Sequence, residues 1–170
     1  MMQLGVFHDL EILRNTDPGL FLGDSEGNEV LLPHRYAPER FEIGDTVRAF
    51  VYLDNEERPI ATTEPPELTL HEFATLRCSD VNKYGAFMEW GPEKQLFVPF
   101  KEQARPMTVG HWYVVYLYQD PITNRLVGSS KTHRFLDNSK LTIEKFEKVD
   151  IMVTHITEKG ANVIINGAHE

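Results

Sequence analysis

The stretch from Val81 to Lys131 reads as a second copy of the stretch 66 positions earlier. Gly85 falls on Gly19, Phe87 on Phe21, Pro99 on Pro33, Gly110 on Gly44, Tyr118 on Tyr52 and Asp120 on Asp54. One extra residue in the later turn moves the offset to 67, which places Arg125 on Arg58 and Gly128-Ser129-Ser130 on Ala61-Thr62-Thr63. A period of this length exceeds the roughly 20 to 50 residues of solenoid units, so each copy must fold around a core of its own. Two small domains and a remainder are expected, at residues 1–66, 67–136 and 137–170.

The patterning inside each copy predicts strands. Leu10-Glu11-Ile12-Leu13 opens the first copy, Asp17-Pro18-Gly19 turns into Leu20–Leu22, and Glu29–Leu32 is stopped by Pro33, which has no N–H for a ladder. His34 to Glu42 is irregular or a single helical turn. In the longest strand, Thr46 to Leu53, alternation puts Val47, Ala49, Val51 and Leu53 on the core face and Arg48, Phe50 and Tyr52 on the other. Ile60–Thr63 closes a five-strand set, and Glu64-Pro65-Pro66-Glu67 is a stiff linker. The second copy repeats this order with Phe73–Val81, Ala86–Trp90, Gln95–Val98, Trp112–Gln119 and Leu126–Ser129, and a short helical turn is expected at His71–Ala74. Five strands with a long loop between the third and fourth make a closed OB-type barrel. The fold class is therefore all-β, with tandem five-stranded barrels.

Beyond the polar segment Asp137–Glu147, Val149–Ile156 and Thr157–Ile165 read as the first two strands of a third copy, with Gly160 in the place of Gly85. Half a barrel exposes strand edges, so the natural chain is expected to continue past Glu170.

A formal net charge of -9 argues at first against a polyanionic partner, because phosphate binding draws on Lys and Arg. The acidity is uneven. Residues 1–66 hold 5 Lys+Arg against 13 Asp+Glu, a net of -8; residues 67–136 hold 8 against 7, a net of +1; residues 137–170 hold 4 against 6, a net of -2. Any polyanion should prefer the second copy. Cys78 is the only cysteine, which excludes an intrachain disulfide and a cysteine-rich zinc site and points to a reducing cytoplasm. Met1–Leu10 lacks a basic region followed by an apolar core, so no secretory signal is expected, and no apolar run reaches the length of a membrane span.

In order and spacing, Gly85-Ala86-Phe87, Leu96-Phe97-Val98, Gly110, Asp120, Arg125 and Ser129-Ser130 resemble the S1 RNA-binding domain, an OB-fold. The paired signatures V-L-L-P with A-T-T-E and V-N-K-Y-G-A-F with L-F-V-P-F are similar to the bacterial conserved virulence factor B family of S1-like RNA-binding proteins. That resemblance implies a longer parent with a completed third module and a winged-helix domain. It also implies an RNA face: Tyr84 and Phe87 match its two aromatics and Asp120 and Arg125 its acid and base, while Pro99 stands in place of its histidine. In the first copy Pro18 replaces the first aromatic and Pro33 the histidine, with Phe21, Asp54 and Arg58 at the other positions.

A single-strand site needs flat side chains for bases to stack on and cations for the backbone. With Ala86, Met88 and Trp90 facing the core, Phe87 faces outward, beside Tyr84, Tyr116 and Tyr118, with Lys83, Arg125 and Lys131 as phosphate partners. Tyr116 and Tyr118 could equally pack under a loop or the adjoining module, and Asp120 with Arg125 could simply pair across a hairpin. Lys101 and Arg105, in the long loop, are read as solvated surface or as a phosphate track. Catalysis has little support. Thr75 stands where a zinc-protease motif begun by His71-Glu72 needs its second histidine, no two histidines lie three or four apart, and no glycine-rich phosphate loop occurs. The expected partner is single-stranded RNA, with no cofactor and no metal. The alternative is a protein-interaction module whose acidic first barrel docks a basic protein.

Overall fold

The computed structural model describes residues 1–139 and 142–169. Among the described residues, strands β1 (Phe7–Asn15), β2 (Gly19–Gly23), β3 (Glu29–Pro33), β4 (Thr46–Leu53) and β5 (Pro59–Thr62) form a closed barrel in the order β1-β2-β3-β5-β4, in which β3 and β5 run parallel. Strands β6 (Phe73–Val81), β7 (Gly85–Glu89), β8 (Leu96–Pro99), β9 (Trp112–Gln119) and β10 (Leu126–Ser129) follow as a second five-stranded sheet in the order β10-β9-β6-β7-β8. Its edge strands curl together: a Cβ on Gly128 of β10 would sit 2.9 Å from Val98 Cγ2 and 3.1 Å from Leu96 Cδ2 of β8. The two units are tandem OB folds. Among the described residues, helix is confined to short 3-10 turns at His34–Tyr36, Phe100–Glu102 and Thr132–Phe135. The segment at His71 is not helical: His71 lies at φ +67, outside the right-handed helical region, and Phe73 already begins β6.

The repeat extends to irregularities. The first strand of each copy carries a β-bulge, at Leu13 in β1 and Ser79 in β6. A third bulge, at Thr154, falls in the hairpin of β11 (Ile151–Thr157) and β12 (Gly160–Ile165). The turn after each bulged strand is held by a side chain at the same place: Thr16 Oγ1 donates to Gly19 O, Asn82 Oδ1 accepts from the N–H groups of Tyr84 and Gly85, and Thr157 Oγ1 donates to Gly160 O. Ile151 and Val153 of β11 stand where Leu76 and Cys78 stand in β6. Those two are 1% and 0% exposed, whereas Ile151 and Val153 are 61% and 47% exposed, because among the described residues β11 and β12 form a sheet of two strands only. It is tied back by Asp137, whose N–H donates to Ala168 O, and by a hydrogen bond between Arg105 and His155. Among the described residues, no helix is long and apolar enough to cross a membrane.

Alternation in β4 sorts its side chains as the sequence predicts, with one addition. Val47, Ala49 and Val51 enter the core of the first barrel with Leu10, Ile12, Leu20, Leu22 and Leu32. Phe50 and Tyr52 project from the opposite face and are nevertheless 0% and 3% exposed, because they join the core of the second barrel with Trp90, Leu68 and Met88. Trp90 meets both rings edge-on, at 5.7 Å from Phe50 and 6.4 Å from Tyr52 between centroids. Polar ties surround this aromatic contact: Leu70 N–H donates to Gly5 O, Lys94 Nζ to Asp54 O, and Arg35 pairs with Glu93. The Pro65-Pro66 linker is packed rather than free, with Gly91 against it and Glu67 N–H donating to Trp90 O at 2.7 Å. The barrels therefore dock over a continuous hydrophobic interface.

Candidate nucleic-acid interface

The close approach of β7 to β8 builds the floor of a cleft. Gly85 has no side chain because a Cβ there would lie 2.4 Å from Val98 O, and Gly19 in the first barrel is restricted in the same way, at 2.2 Å from Leu32 O. With the strands drawn together, Ala86 and Met88 enter the core and Phe87 faces outward, directly opposite Phe97 of β8. The two rings lie 5.3 Å apart at 36°, a tilted pair presenting an aromatic surface. Tyr84, 63% exposed on the preceding turn, lines the same cleft, and Lys83 Nζ stands 5.1 Å from the Tyr84 ring centre. The cleft has a volume of about 580 Å³. Its opposite wall belongs to the first barrel: Tyr52, Leu53 and Glu57. Burial pushes the Tyr52 hydroxyl pKa up to about 12, so this ring is neutral at pH 7 and the charge on the wall is the Glu57 carboxylate.

The sequence-predicted residues divide into two groups. Tyr84, Phe87 and Arg125 converge on the cleft, with Lys83 above Tyr84. Pro99 also lines it, at the position where the resemblance places a histidine. Arg125 does not pair with Asp120 across the hairpin; its guanidinium reaches Glu57 of the first barrel. Asp120 instead caps its own turn, accepting from the N–H groups of Ile122 and Thr123, and these backbone hydrogen bonds hold its carboxyl below the usual range.

Tyr116 and Tyr118 do not flank Phe87. β6 lies between β9 and β7, and both rings pack beneath Phe135, Tyr116 stacking at 4.0 Å and 15° and Tyr118 at 5.7 Å. Burial, with the neighbouring Glu102 charge, pushes the Tyr118 hydroxyl up to about 12. Lys131 does not line the cleft, and its backbone N–H donates to Ser129 Oγ.

Sequence reasoning missed Phe97, Lys94 and Glu57. The signal for Phe97 was present, since alternation between buried Leu96 and Val98 turns it outward beside Phe87. Lys94 and Glu57 depend on how the barrels dock, which a single copy does not encode.

The corresponding face of the first barrel is occupied. Arg14 covers the Phe21 ring at 4.2 Å and is itself paired with Glu29 at 2.7 Å. No base can stack on that side of Phe21 while Arg14 lies there.

The model of the S1 domain family matches residues 4–64, the first barrel. The Bacillus subtilis (strain 168) protein "Uncharacterized protein YitL" is 34% identical over 90 residues, covering 52% of this chain and 30% of that protein. The chain thus spans about a third of the length of that relative. A crystal structure of a multidomain protein with nucleic acid binding domains from Streptococcus pneumoniae TIGR4 superposes with a TM-score of 0.68 at 20% identity, over 98% of this chain and 60% of that one. At that identity the likeness is one of fold.

Proposed function

We propose that this chain binds single-stranded RNA with little base specificity, through the cleft of the second barrel, and acts as an accessory factor in RNA metabolism or gene regulation without catalysing a reaction. The observation that carries this reading is the convergence of Tyr84, Phe87 and Phe97 on one cleft, with Lys83 and Arg125 beside them. Every base has a π-face, so such a platform binds without reading sequence, while the cations follow the backbone. The S1 match in the first barrel and the nucleic acid binding domains named for the Streptococcus pneumoniae protein support the same reading. Membership of the bacterial conserved virulence factor B family and a place in the cytoplasm belong to the same proposal.

A second role is favoured by one observation. The first barrel, net -8, has its Phe21 platform covered by Arg14, so it suits a basic protein partner better than RNA.

The test is fluorescence anisotropy of a labelled single-stranded RNA of mixed sequence at two salt concentrations. Saturable binding that weakens with salt is expected, and Phe87→Ala should weaken it by about 1–3 kcal/mol with the fold intact. Affinity unchanged in that variant would remove the stacking site.

A further inference from the structure

The turn between β4 and β5 contains an anomaly. Glu57 lies at φ +63, a region that glycine and asparagine tolerate and other side chains adopt at a cost. The corresponding turn of the second barrel uses Asn124 there, at φ +64. Glu57 thus takes a conformation that asparagine would suit better, and from it the carboxylate crosses to Arg125 in the other barrel. Lys94 lines the same cleft, its Nζ donating to Asp54 O at 2.9 Å; burial holds its pKa below the usual lysine value, with Glu57 acting to raise it and Arg125 to lower it. Two cations from the second barrel, one of them paired with a carboxylate from the first, therefore line a single aromatic cleft.

We propose that Arg125 and Lys94 form a phosphate subsite of this cleft, and that in the free protein the Glu57 carboxylate occupies it in place of a phosphodiester. The inference rests on the RNA reading above and adds where the backbone sits and what it must displace. A carboxylate and a phosphodiester offer a guanidinium the same paired oxygen acceptors, so one can replace the other. The Glu57–Arg125 pair is about half exposed at both ends, and ion pairs in that setting are weak enough to be exchanged. The aromatic rings on the same cleft would then receive the attached base, and the acidic barrel would act as a built-in competitor for the RNA backbone.

The test is a cycle read by anisotropy of a labelled single-stranded RNA of mixed sequence, using the full chain and Glu57→Gln, Arg125→Gln and the double variant, each checked for thermal unfolding. Glu57→Gln should tighten binding by about 2- to 5-fold, the range an exposed ion pair allows, and the gain should disappear when Arg125 is already Gln. Lys94→Met should weaken binding in both backgrounds. Glu56→Gln removes the same charge one residue away from a carboxylate paired with Arg58, and should leave affinity unchanged. RNA binding that ignores Glu57→Gln, or a gain that persists without Arg125, overturns the subsite and leaves the RNA reading standing. No binding by any of these proteins at low salt overturns both.

Discussion

Glu102 is 5% exposed and still carries a charge. Burial works to raise its pKa, but hydrogen bonds from the Ser129 and Tyr118 hydroxyls and the Arg134 guanidinium at 3.0 Å outweigh it and hold the carboxyl below its usual range. The same residue accepts Ser130 N–H on its backbone oxygen, so it pins the Thr132–Phe135 turn over Tyr116 and Tyr118. A folded pKa below the unfolded one means the stabilisation is fully present above the unfolded carboxyl pKa, about 4.3, and is lost as pH falls through the lower folded value. Glu102→Gln should cost roughly 1–2 kcal/mol at pH 7, since it leaves Arg134 and the two hydroxyls with a weaker acceptor. Urea unfolding should show that deficit shrinking below about pH 4; a deficit that stays constant into acid would mean the carboxylate charge plays no part.

At the scale of elements, the hairpin of β7 and β8 is the feature on which the cleft depends, and glycine makes it possible. Gly85→Ala would put a methyl group 2.4 Å from Val98 O and 2.8 Å from Pro99 Cα, both backbone atoms that cannot rotate away. Forcing β8 outward should cost about 1–3 kcal/mol, the usual penalty for overpacking, and should separate Phe87 from Phe97. A denaturation midpoint equal to wild type would show that the strands have slack. This glycine was legible from the repeat, because Gly19 and Gly85 coincide and the resemblance marks the position. So were the outward turn of Phe87 and the core set Ala86, Met88 and Trp90, since alternation on a two-faced strand needs no tertiary knowledge. For Tyr116 and Tyr118 the pattern left two readings open, a place beside Phe87 or packing under a loop, and the structure takes the second: their face of β9 is covered by Phe135, which lies in a 3-10 turn that carries no periodic signal.

Across the whole molecule, what the sequence could not supply was the docking of one barrel on the other. Phe50 reads as an outward residue and is one; beyond the Phe7 and Tyr52 rings of its own barrel, its burial is completed by the second barrel, and nothing in its own copy announces that. The same docking brings Glu57 to Arg125, 68 positions away along the chain, and supplies the Tyr52 and Leu53 wall of the cleft. Phe50 therefore tests the docking without emptying the interior of the first barrel, which is built from Leu10, Ile12, Val47 and Val51. Two small barrels sharing an aromatic interface should unfold together, each marginal without the other. Phe50→Ala removes a ring in contact with Phe7, Tyr52 and Trp90, and large-to-small changes of this kind cost about 3–5 kcal/mol. Because that loss falls on the coupling between barrels, calorimetry should show the single transition of the wild type splitting into two. RNA affinity should fall in parallel as one wall of the cleft comes loose. A single transition merely shifted to lower temperature would mean that the polar ties at Gly5, Asp54 and Glu93 suffice to hold the barrels together. The cleft would then survive the loss of its aromatic support.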